Sequence, residues 1–157
     1  MSALVCFLDV NVPMYAAGED HPLKAACVWI MQEVADGRLE VTIDTEIVQE
    51  ILHRFGAIGR PTMGVTMARA LLDLVPVVHP VRVVDARKAI ELFEEHSPSG
   101  VMARDALHAA VMLGNGLDCI LSADQHFDHI GGLTRVAVGT LDQTRADLDR
   151  LSHLFRS

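Results

Sequence analysis

A chain of 157 residues, half of them apolar, is long enough for one domain with its own core and too hydrophobic to be disordered. Thirteen basic residues against 21 acidic ones leave a net charge of −8, which excludes general electrostatic attraction to nucleic acid; any such activity needs a local site with cations in it. The three cysteines have no zinc-type pairing, the N-terminus has no basic region or cleavage site, and no apolar run reaches bilayer length. A single domain over residues 1–157, soluble and cytoplasmic with reduced thiols, is the expectation.

Residues 4–8 are apolar without a break and read as a strand buried on both faces, as in the middle of a parallel sheet. Asp9 stands where that strand ends. A short helix over 12–17 follows, with Pro13 in its first turn and Gly18 after it. Asp20-His21-Pro22 introduces a helix over 23–35, with Ala26, Ile30 and Val34 on one face and Gly37 as its stop. Residues 39–43 alternate and read as the second strand. The helix starting at Asp44 or Thr45 has the stripe Ile47/Val48, Ile51/Leu52 and Phe55. Gly56, Gly59, Pro61 and Gly64 predict a break over 56–64, before a helix over 65–74.

Residues 75–81 are extended, but Pro76 and Pro80 demote them to an edge or irregular strand. The amphipathic segment 85–96 is predicted to turn Ala86, Ala89/Ile90 and Phe93 inward, leaving Glu91, Glu94 and Glu95 in solvent. Ser97-Pro98-Ser99-Gly100 caps a helix over 101–113. Between Ala106 and Leu113 its only polar residue is His108, so this helix is buried nearly all round, yet Asp105 interrupts it. Residues 119–121 form a short buried strand, followed at once by Ser122-Ala123-Asp124. A last strand over 133–138 and a helix over 141–155 complete the chain. Strands alternating with helices predict a parallel sheet covered on both faces.

Four carboxylates stand out. Asp9 and Asp124 end buried strands, Asp105 lies in an apolar helix, and Glu50 lies between Ile47 and Ile51. In open parallel sheets ligands bind at the carboxyl ends of the strands. Carboxylates gathered in an apolar setting resist ionising together, and a hard Mg²⁺ or Mn²⁺ ion with oxygen ligands relieves this. Plainer readings stand beside that one. Asp9 or Asn11 caps the first helix, Asp105 pairs with Arg104 or His108, and Glu46 competes with Glu50 on nearly the same face. His126 and His129 suggest zinc but lack a third soft ligand. Arg54 and Arg60 either face a phosphate or are ordinary surface charge.

Phe7-Leu8-Asp9-Val10-Asn11, Thr45-Glu46-Ile47-Val48-Gln49-Glu50-Ile51-Leu52, Arg104-Asp105-Ala106-Leu107-His108-Ala109-Ala110 and Leu121-Ser122-Ala123-Asp124-Gln125-His126-Phe127-Asp128 look like four successive motifs. In their order and spacing the chain resembles the PIN-domain ribonucleases over residues 4–138, and most of all the toxins of bacterial toxin–antitoxin pairs. The resemblance implies a three-layer α/β/α fold with a mainly parallel sheet in the order 3-2-1-4-5. It also implies Mg²⁺- or Mn²⁺-dependent endoribonuclease activity on RNA, a cognate antitoxin and a homodimer. By the same resemblance Asp9, Asp105 and Asp124 are metal ligands, Glu50 is the helical glutamate, and Asn11 and Ser122 orient carboxylates. The fourth motif departs from the family at His126, where many members have an acid; Asp128 either replaces that acid or caps the loop. Two other functions compete. A metal-dependent phosphatase wants a second Asp where Asn11 stands, and a receiver-like binding module wants a lysine facing the acidic pocket, whereas the chain has only Lys24 and Lys88.

Overall fold

The computed structural model describes residues 4–156, the last two by backbone alone. Five parallel strands, β1 (Val5–Leu8), β2 (Glu40–Asp44), β3 (Val77–His79), β4 (Cys119–Ser122) and β5 (Thr134–Ala137), form one sheet in the order β3-β2-β1-β4-β5. This is the predicted order. The central strand is buried through Cys6, Phe7 and Leu8, so it had to be apolar on both faces. Strand β3 is three residues long at the sheet edge, as its flanking prolines require. Helices α1 (Asn11–Ala17), α2 (Lys24–Ala35), α3 (Glu46–Ala57), α4 (Pro61–Leu74), α5 (Val83–His96), α6 (Ala103–Gly114) and α7 (Leu141–Arg156) flank the sheet. Among the described residues no helix is long and apolar enough to cross a membrane.

The register positions the site. Phe7 lies opposite Thr42 on one side and Ile120 on the other, and Leu8 lies opposite Leu121. One residue further along, Asp9 therefore comes level with Asp44 and Ser122, and its N–H donates to the Leu121 carbonyl (3.1 Å). Strand order reverses about β1, with β2 and β3 to one side and β4 and β5 to the other. Asp9 thus stands at the switch point, where a parallel sheet opens a crevice. The thiols of Cys6 and Cys119 are free and buried on paired positions beneath it.

Two expectations need correction. The break predicted over 56–64 is only three residues wide: α3 runs to Ala57, Gly59 turns the chain at φ +70°, and Pro61 begins α4. Proline at the first helical position starts a helix, which outweighs the glycine at 64. Gly64 is instead a helical close contact, since a Cβ there would lie 2.8 Å from the Phe55 Cβ. The inward face of α5 is also different. Asp85 and Leu92 are buried, while Ile90 is 70% and Phe93 43% exposed. Asp85 turns inward because it accepts bonds from the Arg82 N–H (2.9 Å) and guanidinium (3.1 Å) and packs against Gly114 of α6.

Gly64→Ala is expected to lower the melting temperature, corresponding to about 1–3 kcal/mol of overpacking, although alanine is the better helix former by roughly 1 kcal/mol. A thermal melt checks the sign; a stabilised Gly64→Ala protein would mean that α3 and α4 separate without strain.

Candidate metal centre

Asp9 is 4% exposed and heavily bonded. Its Oδ1 accepts the Val10 N–H (2.8 Å); its Oδ2 accepts the Ser122 hydroxyl (2.5 Å) and the Asn11 amide (3.1 Å). Asn11 in turn accepts the Ala123 N–H (3.3 Å), and Ser122 Oγ accepts the Asp124 N–H (3.0 Å). These bonds tie the ends of β1 and β4 into one frame. Burial raises the Asp9 carboxyl above the ordinary range, against the His108 charge and the Ser122 bond.

Glu50 projects from α3 and is buried, whereas Glu46 is half-buried one turn earlier. Its Oε1 receives Arg54 Nη2 and Arg104 Nη1, each at 3.4 Å, and its Oε2 lies 3.2 Å from His108 Nε2. Burial alone would raise Glu50, but the His108 bond and the three positive charges hold it below its usual range. The other ring nitrogen of His108 lies 2.7 Å from Asp44 Oδ2. Burial pushes this imidazole down, yet the bonds to Asp44 and Glu50 outweigh it and drive its pKa up to about 10. Asp44 and His108 are fully buried and were not among the expected site residues. Two signals pointed to them: Asp44 ends a buried strand as Asp9 does, and His108 is the lone polar residue in an apolar helical stretch.

Asp105 sits in the first turn of α6, where its Oδ2 accepts the Met102 N–H (3.3 Å). It pairs with neither Arg104 nor His108, whose bonds go to Glu50 and Asp44. Burial, with Asp124 and Asp9 nearby, pushes its carboxyl up to about 7. Asp124 accepts the His126 N–H at 2.9 Å, and the His126 ring stands 3.1 Å from the same oxygen. That ring is seated on Gly100 (φ +96°), where a Cβ would come within 2.8 Å of it. Asp128 is engaged elsewhere, held by the Arg135 guanidinium at 2.9 and 3.0 Å, and His129 is exposed.

Asp9, Glu50, Asp105 and Asp124 line one small cleft of about 100 Å³ together with Asn11. Asp9, Glu50 and His108 offer ligand-type atoms within 4.8 Å of one another, as do Asp105, Asp124 and His126. Both nitrogens of His108 are already committed to carboxylates, so the donors open to an ion in the first trio are oxygens. Oxygen donors on desolvated, mutually repelling carboxylates fit a hard divalent cation. Lys24 bonds the Gly18 carbonyl and Lys88 pairs with Glu91, so neither lysine serves this cleft as a receiver-like module would need.

The sequence model of the PIN domain matches residues 6–133. This chain belongs to the PIN domain family. It is 32% identical over 130 residues to Ribonuclease VapC13 of Mycobacterium tuberculosis, spanning 83% of this chain and 98% of that protein. It is 32% identical over 126 residues to Ribonuclease VapC23 of the same organism, spanning 78% of this chain and 92% of that one. Among solved structures, Mycobacterium tuberculosis VapC20, described as a sarcin–ricin loop cleaving toxin, superposes with a TM-score of 0.66 at 18% identity over 81% of this chain and 95% of its own. Rickettsia felis VapBC2 bound to promoter DNA superposes at 0.64 with 13% identity over 84% of this chain and 97% of that one. These two share the PIN fold with this protein.

Asp105 supplies a test in the metal-free PIN domain. Its folded pKa is raised, so the folded state binds the proton more tightly than the unfolded one. Its contribution is therefore lost as pH rises from its ordinary 3.8 through about 7. Melts of wild type and Asp105→Asn in chelator should diverge over that window, with the variant gaining relative stability and the gap levelling off above it. A constant gap would show that Asp105 is not desolvated among like charges.

Proposed function

We propose that this chain is a Mg²⁺- or Mn²⁺-dependent endoribonuclease and the toxin of a toxin–antitoxin pair. The observation that carries this is the convergence of Asp9, Glu50, Asp105 and Asp124 in one cleft, with Arg54 and Arg104 lining the same cleft in a chain of net charge −8. The family and the ribonuclease names of its 32%-identical relatives support it.

Asp9, Asp105 and Asp124 are the proposed ligands, with Glu50 completing the acidic set. A divalent cation held there supplies acidification of a water and neutralisation of charge building on the phosphate. The protein's own groups do the rest. Asn11 and Ser122 hold Asp9 in one orientation, and Ser122 Oγ is thereby committed to Asp9 rather than to attack on phosphorus. Arg54 and Arg104 are placed to receive phosphate oxygens beside the carboxylates. A carboxylate of the set, Asp105 or Asp124, orients or deprotonates the water in this reading. We propose direct hydrolysis, with no covalent intermediate on the protein. Asp128, paired with Arg135, orders the loop after Asp124 in this reading.

The proposed partner is an antitoxin segment. A toxin–antitoxin complex from Klebsiella pneumoniae and a member of the VapBC family of toxin–antitoxin systems are among the structures that share the fold. An apolar groove of about 650 Å³, lined by Pro13, Ala16, Val28, Met31, Met63 and Met67, borders α1, whose first residue, Asn11, lines the acidic cleft. An arginine carried by a chain seated in that groove is proposed to pair with the carboxylates. A homodimer is also proposed, supported by Val83, Val84, Ile90 and Phe93 standing exposed on α5. A single domain in the cytoplasm is the setting proposed for this activity.

Purified protein is expected to cleave single-stranded RNA with Mg²⁺ or Mn²⁺ and not in EDTA, and to leave p-nitrophenyl phosphate intact. Asp9→Asn keeps the shape of the site but removes a ligand charge, so it should fold normally and cleave ~100-fold more slowly or worse. Undiminished cleavage in EDTA, or full activity in folded Asp9→Asn, sinks this function.

A further inference from the structure

Glu50 is held by unequal partners. Its Oε1 meets two guanidiniums at 3.4 Å, and the Arg54 and Arg104 side chains that carry them are 42% and 34% exposed. Those chains are free to follow solvent or a phosphate. Its Oε2 meets one partner, His108, which is fully enclosed. The imidazole has no freedom of its own. One nitrogen is fixed at 2.7 Å by Asp44, and the ring is tilted at 45° against Phe7 with centroids 5.3 Å apart. Asp44 is fixed as well, because its Oδ1 accepts the Ile47 N–H in the first turn of α3 (3.1 Å). Glu50 lies one turn further along that helix. The chain of bonds therefore runs from the end of β2, through α6, and back to the α3 side chain that stands beside Asp9.

We infer that His108 is a positioning residue of the acidic site: pinned by Asp44, its ring donates through Nε2 to Glu50 Oε2 and holds that carboxylate beside Asp9. Both ring nitrogens face carboxylate oxygens, so a proton lies in each contact, and neither nitrogen is left to ligate an ion. The arrangement is that of a carboxylate–histidine pair orienting a metal-site ligand, here with the histidine behind the carboxylate rather than on the metal. Without it, Glu50 would follow the two arginines out of the set. The inference rests on the metal-dependent nuclease reading.

The test uses two amide replacements that remove the same charge. The amide nitrogen of glutamine falls near the position of Nε2 and keeps a donor for Glu50. That of asparagine falls near Nδ1 and keeps a donor for Asp44 only. Binding of Mn²⁺, followed by electron paramagnetic resonance, is measured for wild type, His108→Gln and His108→Asn, with cleavage kinetics and melts in EDTA alongside. His108→Asn is expected to bind Mn²⁺ 10- to 100-fold more weakly than His108→Gln, in line with losses at orienting positions generally (~10–100-fold). The same ratio should appear in kcat, with KM for RNA unchanged between the two. A purely structural histidine predicts no such ratio: both variants would lose function in step with their melting temperatures, and equal Mn²⁺ binding by the two overturns the inference. If both His108 variants fail to fold, Asp44→Asn against Asp44→Ala carries the comparison. Asparagine keeps the ring pinned with its Nε2 proton toward Glu50, alanine releases it, and Mn²⁺ binding by alanine within twofold of asparagine overturns the inference. A wild type that neither binds Mn²⁺ nor cleaves RNA removes the nuclease reading and this inference together, an outcome distinct from equal behaviour of the variants.

Discussion

Everything at this end of the molecule answers to one constraint, the burial of like charge. Asp9, Asp44, Glu50 and Asp105 are each less than a tenth exposed, and Asp124 adjoins them. In water such groups would repel weakly; away from water each lacks the solvation that keeps it ionised. The fold offsets this in three ways. Hydrogen bonds from Val10, Asn11 and Ser122 stabilise Asp9, one fully buried imidazolium serves Asp44 and Glu50 together, and two arginines approach Glu50 from the solvent side. Asp105 has, among the described residues, one hydrogen-bond donor, the Met102 N–H, and the more distant His108 charge, and it is the carboxyl driven to about 7. The buried charge least offset by the protein's own groups is thus that of Asp105.

The sheet makes that crowding possible. A parallel sheet points all its strand ends one way, so acids at the end of β2 and just after β1 and β4 meet without any loop having to bring them there. The register Phe7–Thr42 and Phe7–Ile120 does the alignment with backbone bonds alone. Phe7, Ile43, Ile120 and Leu121, all fully buried, supply the apolar floor beneath. A site built on strand ends and on the first two turns of α3 and α6 inherits the rigidity of those elements.

How much of this could be read from the chain depends on whether the signal was local. Asp9 and Asp124 were legible because an unbroken apolar run followed by a carboxylate marks a strand end at a parallel sheet's binding edge. Glu50 was legible with less security, since Glu46 shares nearly the same face of α3; the fold decides between them by burying only Glu50. Strand order rested on the resemblance of four motifs, and periodicity alone would have left it open. Asp44 and His108 each carried a local signal, but their joining into one chain with Glu50 was not legible, since residues 44 and 108 meet only through tertiary packing and each has a local excuse, a helix start and a helix core. The α5 face was misread for a related reason. Apolar spacing favoured Ile90 and Phe93, but Asp85 has Arg82 and Gly114 to satisfy it inside, so the helix turned a carboxylate inward and left two large apolar residues out.

The charges left over define what the cleft accepts. The chain repels polyanions overall, and the nearest carboxylates do so most strongly at short range, within a Debye length of roughly 8 Å. Arg54 and Arg104 sit on the boundary, each sharing the same Glu50 oxygen. If the proposed cation satisfied the carboxylates, that oxygen would no longer need two guanidiniums, and both would be available to phosphate. Cation binding and phosphate binding would then be coupled through Glu50, with the same sign in either direction, as linkage requires. A positively charged side chain from a protein partner would satisfy the same carboxylates but bring no phosphate-activating chemistry. If the cleft holds the proposed cation, it is by the same electrostatics the cleft an arginine-bearing inhibitor would fill.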